Sequence, residues 1–343
     1  MSSSVNRRAL LTRAGVALGS LLLVLAGGTL AAAGTKADLN GPLNILLAGI
    51  DPRGSHTRPL ADAIIVAHIP ADRRGMYLFS IPRDLVVQIP EFAPSGTPAQ
   101  RGKINAAMGL GSQTSTGDYR PRQGYRLLKR AVGEVTGIRS FDGGAIINFG
   151  GFEKMVDAMG GVDMVIDQDV PSEHRKPDGS PRDRLPECQG HHNCLRPYTG
   201  VQMVYPKSDQ PMRLSGWQAL DLVRQRYGLP RSDYDRQRHQ RQFLTAVAKQ
   251  VSKGDLLKVA GQVGDSLTLV RGGHSLADWM AELNDLDTAG MTTVALPGEA
   301  LFEDGKYLGE QYTSADVSAF FRAVVEDRVA NFLTDHPGFV DVA

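Results

Sequence analysis

Hydrophobic positions recur along this chain in three rhythms, and each predicts a different kind of element. Residues 14–33 carry no charged side chain; a helix rising about 1.5 Å per residue would span about 30 Å over that run, the thickness of a bilayer's hydrocarbon core. Residues 44–50 (NILLAGI), 63–69 (AIIVAHI) and 76–81 (MYLFSI) are apolar, β-branched runs of strand length, closed by Asp51-Pro52, Pro70-Ala71-Asp72 and Pro82. Helical spacing marks Phe152, Met155, Val156 and Met159, which lead into Gly160-Gly161 and the strand-like 162–166. Ser215 and Gln218 have the S-x-x-Q spacing of a capping box, so a helix is predicted from about Gly216 through Trp217, Leu220 and Val223. A second helix, capped by Ser232 or Asp233, holds Phe243, Leu244, Val247 and Val251 to a core. Between the two, 223–227 (VRQRY) reads as extended, because arginines two apart share a face in a strand and are splayed by a helix. Downstream, the pattern predicts helices over 256–269 and 275–286, a strand over 292–296 and a closing helix over 314–332.

The strand prediction has a chemical consequence. If the first three runs form an antiparallel meander, the end of the first, the start of the second and the end of the third meet at one edge of a sheet. Asp51, Asp62, Arg83 and Asp84 occupy those places. Two carboxylates brought together repel unless a cation stands between them, so a divalent ion with oxygen ligands, or an arginine, is expected there. The plainer reading makes Asp51 and Asp62 turn residues that end strands.

Charge sharpens the picture further along. The net charge is only +1, yet Arg224, Arg226, Arg231, Arg236, Arg238 and Arg241 all fall within 223–244. A guanidinium presents a rigid fork of donors suited to paired phosphate or carboxylate oxygens. On the second helix Asp233, Arg236 and Gln240 lie at i, i+3 and i+7 and share one stripe. The competing reading is a solvated basic helix face. With 42% hydrophobic and 22% charged residues, no repeat and no linker between residue 41 and about residue 298, the chain reads as one large α/β domain. It contains neither a G-x-S-x-G elbow nor a P-loop.

The beginning of the chain bears on its compartment. Arg7, Arg8 and Arg13 precede the apolar run without an acid among them, which places residues 1–13 in the cytoplasm, 14–33 in the membrane as a single-pass anchor, 34–42 as a linker and 43–343 outside. A cleaved signal peptide ending near Ala31-Ala32-Ala33 is the alternative. An outside location removes nucleic acid as a partner for the arginines. It also favours a disulfide between Cys188 and Cys194, the two cysteines of a polar, loop-rich insertion at 171–211. His191 and His192 sit between them, but the spacing fits no standard zinc finger.

Seven blocks together resemble the LytR-CpsA-Psr family of cell-wall enzymes: NILLAGIDPR, ADAIIVAHI, SIPRDL, KINAAMGLG, 147–167, LSGWQALDLVRQRYG and DYDRQRHQRQFL, spread over 43–251. The resemblance implies an α-β-α sandwich with a central mixed sheet and an apolar groove for a polyprenyl chain. It also implies transfer of a glycopolymer phosphate from a polyprenyl-diphosphate carrier to a peptidoglycan hydroxyl, assisted by Mg²⁺ or Mn²⁺, at the outer face of the membrane. By the same resemblance Asp51 and Asp62 are metal ligands, with Asp62 also the candidate base. Arg83, Arg224, Arg226 and Arg236 bind the pyrophosphate with Lys103 and Gln240, and Asp233 and Asn105 support them. Two positions depart from the family pattern: Leu60-Ala61 replaces an arginine-serine pair, leaving Arg58 as a substitute, and His239 precedes Gln240 without an assigned role. The same residues would serve a pyrophosphatase with water as acceptor, and a non-catalytic membrane-anchored regulator is the remaining reading.

Overall fold

The first three apolar runs form the expected antiparallel meander, β1 (Leu43–Ile50), β2 (Ala61–Ile69) and β3 (Met76–Ser80), at the centre of a mixed sheet. The structure is a computed structural model and describes residues 39–52, 58–189, 194, 196–250 and 290–341, together with 262, 266–270, 272–275, 278, 279, 282 and 286. After β3 come a ribbon of β4 (Val86–Ile89) and β5 (Gln100–Lys103), then helices α1 (Ala106–Ser112) and α2 (Pro121–Thr136). The sixth strand, β6 (Gly143–Asn148), runs parallel to β1, and α3 (Phe149–Ala158) connects it to β7 (Val162–Ile166).

Residues 171–211 are less loop-like than their composition suggests. Short ladders pair β8 (Val170–Pro171) with β11 (Val204–Tyr205) and β9 (Asp183–Arg184) with β10 (Tyr198–Thr199), while β12 (Ser208–Leu214) pairs with β7. A disulfide joins Cys188 to Cys194; His191 and His192 lie outside the described residues. The capping box is present, with Ser215 and Gln218 closing on each other at the start of α4 (Gly216–Arg224). The extended reading of 223–227 is corrected at its first two positions and at its last, where Tyr227 lies in a turn. Val223 and Arg224 still belong to α4, where Leu222 and Val223 are both buried against the core, and the backbone becomes extended only at Gln225. The second helix, α5, spans Asp233–Gln250.

Two downstream expectations also change. The stretch Leu267–Val270 is a strand, β13, antiparallel to β6, where a helix over 256–269 was expected; an alternating LTLV segment beside an open sheet edge pairs with it. Most of the 256–266 and 275–286 helix predictions lie outside the described residues. The expected strand near 292 is β14 (Met291–Val294), parallel to β3, and it is followed by an unpredicted hairpin of β15 (Glu299–Glu303) and β16 (Lys306–Gln311). The closing helix is two helices, α6 (Ala315–Val325) and α7 (Val329–Asp335). Between them Asp327 takes a left-handed φ of 54° and turns its carboxylate to His68 Nε2 at 3.0 Å and the Ala71 amide at 3.1 Å, a pairing that interrupts the helix.

The six-stranded sheet runs β13-β6-β1-β2-β3-β14, and its central strands are buried on both faces while the edge strands β13 and β14 are mostly half-buried. On one side Leu46, Val66, Phe79 and Ile146 meet Leu128 and Val132 of α2, Phe320 of α6 and Phe332 of α7. On the other, Ile45, Ala67 and Leu78 meet Ala248 of α5 and Trp279, and Leu222, Phe243 and Val247 extend that layer towards α3 and α4. This is an α-β-α sandwich. The anticipated tail (1–13), anchor (14–33) and most of the linker (34–42) lie outside the described residues, among which no helix is long and apolar enough to cross a membrane.

Candidate functional site

The meander brings its acids together as the hydrophobic pattern requires. Gly49 pairs with Ala63 and Ile50 with Ala61, across an irregularity in the register, so Asp51 leaves β1 beside Asp62 of β2. Arg83, just beyond β3, donates from Nη1 to Asp62 Oδ1 at 2.5 Å, and its Nε stands 3.6 Å from Asp84 and 3.9 Å from Asp233. Burial works against the Arg83 charge, but Asp62, Asp84 and Asp233 outweigh it and raise its pKa above the ordinary guanidinium value. Burial likewise disfavours the Asp84 carboxylate, yet Arg83 and Lys103 hold its pKa below the usual range. Lys103 Nζ is 3.0 Å from Asp84 and 5.2 Å from the ring of Tyr307. It supports the Arg83 cluster from behind and does not line the cavity. Asn105 does its supporting work through the backbone, donating to the Arg83 carbonyl at 3.1 Å and accepting from Ala61 at 3.3 Å.

The second half of the site comes from the turn between α4 and α5. Arg224, the last residue of α4, lays its guanidinium 4.1 Å from the ring centre of Phe149 and reaches within 4.0 Å of Asp51. Gln225 turns inward to Asp221, and the extended backbone sends Arg226 back out over Tyr227, where its Nη2 donates to the hydroxyl at 2.8 Å. From α5, Arg236 Nη2 pairs with Asp233 Oδ1 at 2.7 Å, and Gln240 donates to the Val223 carbonyl at 3.3 Å, tying the two helices together. Arg236 is only 5% exposed, and desolvation lowers its pKa to about 10 despite Asp233. Its Nε has no hydrogen-bond partner. A buried, underbonded guanidinium is a group waiting for an anion.

These residues open onto one cavity of about 330 Å³. Asp51, Asp62, Arg83, Arg224, Arg226, Arg236 and Gln240 form its polar rim, while Leu47, Ile65, Ala145, Ile147, Phe152, Leu220 and Phe243 supply an apolar floor. The arginine run therefore divides by helix face. Arg238 and Arg241 point to the back of α5, where Arg238 pairs with Asp167 and Arg241 with Asp341 and, at 3.1 Å, with Ser80. His239 joins that rear cluster, with Nε2 3.6 Å from Asp167 Oδ1, and Arg231 pairs with Asp235 at 2.8 Å. Arg58 does not substitute for the missing rim arginine. Its stem lies over Gly109 of α1, so tightly that a Cβ there would meet it at 2.2 Å, and it lines no part of the cavity. The sequence reading missed Glu173, His174 and Tyr227 on the cavity wall; nothing local to 171–211 indicates that its first residues turn back over the sheet edge.

Residues 29–320 match the LytR_cpsA_psr family. The chain belongs to that family. Among relatives of LytR_cpsA_psr type, it is similar to the cell wall biosynthesis protein LcpA of Corynebacterium glutamicum, at 26% identity over 342 residues covering 90% of this chain and 60% of the relative. It is also similar to the polyisoprenyl-teichoic acid–peptidoglycan teichoic acid transferase TagU of Bacillus cereus, at 28% identity over 236 residues covering 69% of this chain and 60% of that protein. The chain thus spans about 60% of the length of these two relatives. In three dimensions it is similar to a Streptococcus agalactiae protein, with a TM-score of 0.64 at 20% identity over 84% of this chain and 88% of the other. TagT bound to LI-WTA gives 0.59 at 21% identity over 86% and 94%. Both structural likenesses support the LytR_cpsA_psr fold described above.

Proposed function

We propose that the cavity takes the head of a polyprenyl-diphosphate-linked glycopolymer and passes the glycan phosphate to a peptidoglycan hydroxyl. One observation carries the reading: an apolar floor and a rim of four arginines with two acids share a single space of about 330 Å³. An isoprenoid tail gains only from apolar walls, whereas a diphosphate needs guanidinium forks. The volume suits the diphosphate with its first isoprenoid units. The relatives named for teichoic acid transfer and cell wall biosynthesis point the same way.

In the reaction, the acceptor oxygen forms a bond to the phosphorus nearer the glycan. The bond from that phosphorus to the bridging oxygen breaks, and polyprenyl monophosphate leaves with the electron pair. Arg83, Arg224, Arg226 and Arg236 neutralise the diphosphate, so the incoming oxygen meets less repulsion and the leaving phosphate is stabilised. Asp62, held by Arg83, accepts the hydroxyl proton, while Gln240 ties the helix that carries Arg236 to α4 and Asp233 holds the Arg236 guanidinium. Asp51 and Asp62 offer the oxygen-only donors that suit Mg²⁺ or Mn²⁺. Among the described residues no group of three or more acids, histidines or cysteines is arranged for a metal, so phosphate oxygens and water would complete the shell. When bound, that ion would supply further neutralisation of the diphosphate charge. The apolar run at 14–33 would hold the enzyme at the outer face of the membrane, beside its lipid-borne donor.

The test is incubation of the purified protein with a glycan-labelled polyprenyl diphosphate and peptidoglycan. Label in the wall fraction is the expected result, falling about 10²-fold or more in Asp62→Asn. Free glycan phosphate without wall label would convert the reading to hydrolysis.

A further inference from the structure

Arginines and apolar floor suit a lipid diphosphate, but one corner of the cavity carries the wrong charge for it. Glu173 and His174 line the same space as Arg224 and Arg226, and Glu173 is only 5% exposed. A carboxylate repels phosphate oxygens, and the partners it takes are hydroxyl and amide N–H donors.

The corner is built rather than incidental. Ser172, fully buried, accepts at its hydroxyl from the amides of His174 at 3.2 Å and Arg175 at 2.9 Å, and donates to Asp221 at 3.0 Å. Gln225 Oε1 accepts from the Glu173 amide at 2.8 Å, and Arg182 donates to the Glu173 carbonyl at 3.2 Å. The Glu173 backbone is thereby locked to the end of α4, immediately before Arg226. From the insertion, Arg196 Nε stands 3.6 Å from Glu173 Oε2, and its guanidinium lies 5.9 Å from the centre of the Tyr227 ring. Tyr198 meets His174 edge to face at 5.2 Å. The β9–β10 ladder holds the strand bearing Tyr198, and the Cys188–Cys194 disulfide closes the loop just before Arg196. His174, which lines the cavity, has a flat ring of the kind that packs on the C–H face of a sugar.

We infer that Glu173 and His174 form the subsite for the first sugar on the carrier's diphosphate, and so determine which glycans this enzyme accepts. The inference rests on the proposed polyprenyl-diphosphate function. Glu173 accepts hydrogen bonds from ring hydroxyls or an acetamido N–H, and His174 packs beside the ring.

Two probes test it by calorimetry: a short-chain polyprenyl diphosphate, bare and carrying one N-acetylhexosamine. The wild-type protein is expected to prefer the sugar-bearing probe. Glu173→Gln and His174→Ala are each expected to erase about tenfold of that preference, the value of one charge-assisted hydrogen bond or ring contact, while the bare probe binds within about twofold of wild type. Glu173→Gln keeps the side-chain shape, and a melting curve checks both variants for folding. Equal losses on both probes, or an undiminished preference in both variants, would overturn the subsite. Failure of the wild-type protein to bind either probe would sink the lipid-diphosphate reading itself and the subsite with it. Should the variants alter saturation by a peptidoglycan fragment while leaving probe preference intact, the corner belongs to the acceptor and the inference is wrong.

Discussion

Arg236 shows how a single side chain is kept ready for a ligand. It is nearly buried, paired on one side by Asp233, crowded by the charges of Arg83 and Arg226, and left with an unpartnered Nε. An anion seated among these groups relieves their mutual repulsion, so its binding raises the stability of the whole protein. At a hundredfold excess over its dissociation constant a diphosphate adds about 2.7 kcal/mol to the unfolding free energy, measurable as a rise in melting temperature. Arg236→Lys keeps the charge but loses the fork. Its diphosphate affinity should fall about tenfold or more by calorimetry. These residues could be identified from the sequence because the spacing of Asp233, Arg236 and Gln240 is local to one helix. Arg58 failed as a substitute for the opposite reason, since only the packing of α1 decides where its stem lies.

At the level of elements, α4 and the chain after it depend on one buried acid. Asp221 accepts from Ser172 at 3.0 Å, Tyr205 at 2.9 Å and Gln225 at 2.8 Å, joining the insertion to the helix that ends in Arg224. Burial raises its pKa against those bonds. Asp221→Ala strands three buried polar groups, a loss expected to cost about 3–5 kcal/mol in urea unfolding. The rear of α5 gives a pH signature. Burial opposes the Asp167 carboxylate, but the nearby His239 ring, a hydrogen bond from Gln242 and the charge of Arg238 bring its pKa down to about 2. A carboxyl depressed on folding contributes stability above its unfolded value near 3.9, and that contribution is lost as pH falls towards about 2. Asp167→Asn should therefore flatten the acid limb of the stability curve between about pH 4 and pH 2, followed by tryptophan fluorescence. Sequence periodicity identified α5 and the meander, whose patterns repeat over a few residues. It failed for β13, whose strand character is imposed by β6 far away in the chain, and for the β15–β16 hairpin, whose mostly exposed or half-buried strands carry no hydrophobic alternation.

For the whole molecule, the geometry of entry matters. Arg73 anchors the carbonyls of Leu39 at 2.5 Å and Gly41 at 3.0 Å, so the chain joins the domain at the start of β1, while Asp51 and the cavity lie at its end. Removal of residues 1–38 leaves those bonds intact. The truncated protein should keep its melting temperature and move from the membrane fraction to the soluble one on cell fractionation. The rear face of α5 depends on the opposite end of the described chain. Asp341, 100 residues beyond Arg241, sits on β14 through bonds to Thr293 and shares with Asp167 the negative charge behind α5. A chain synthesised only as far as α5 already carries the front-face arginines and Asp167. It lacks Asp341, so the buried Arg241 guanidinium gains that acid only when the C-terminal segment docks on β14.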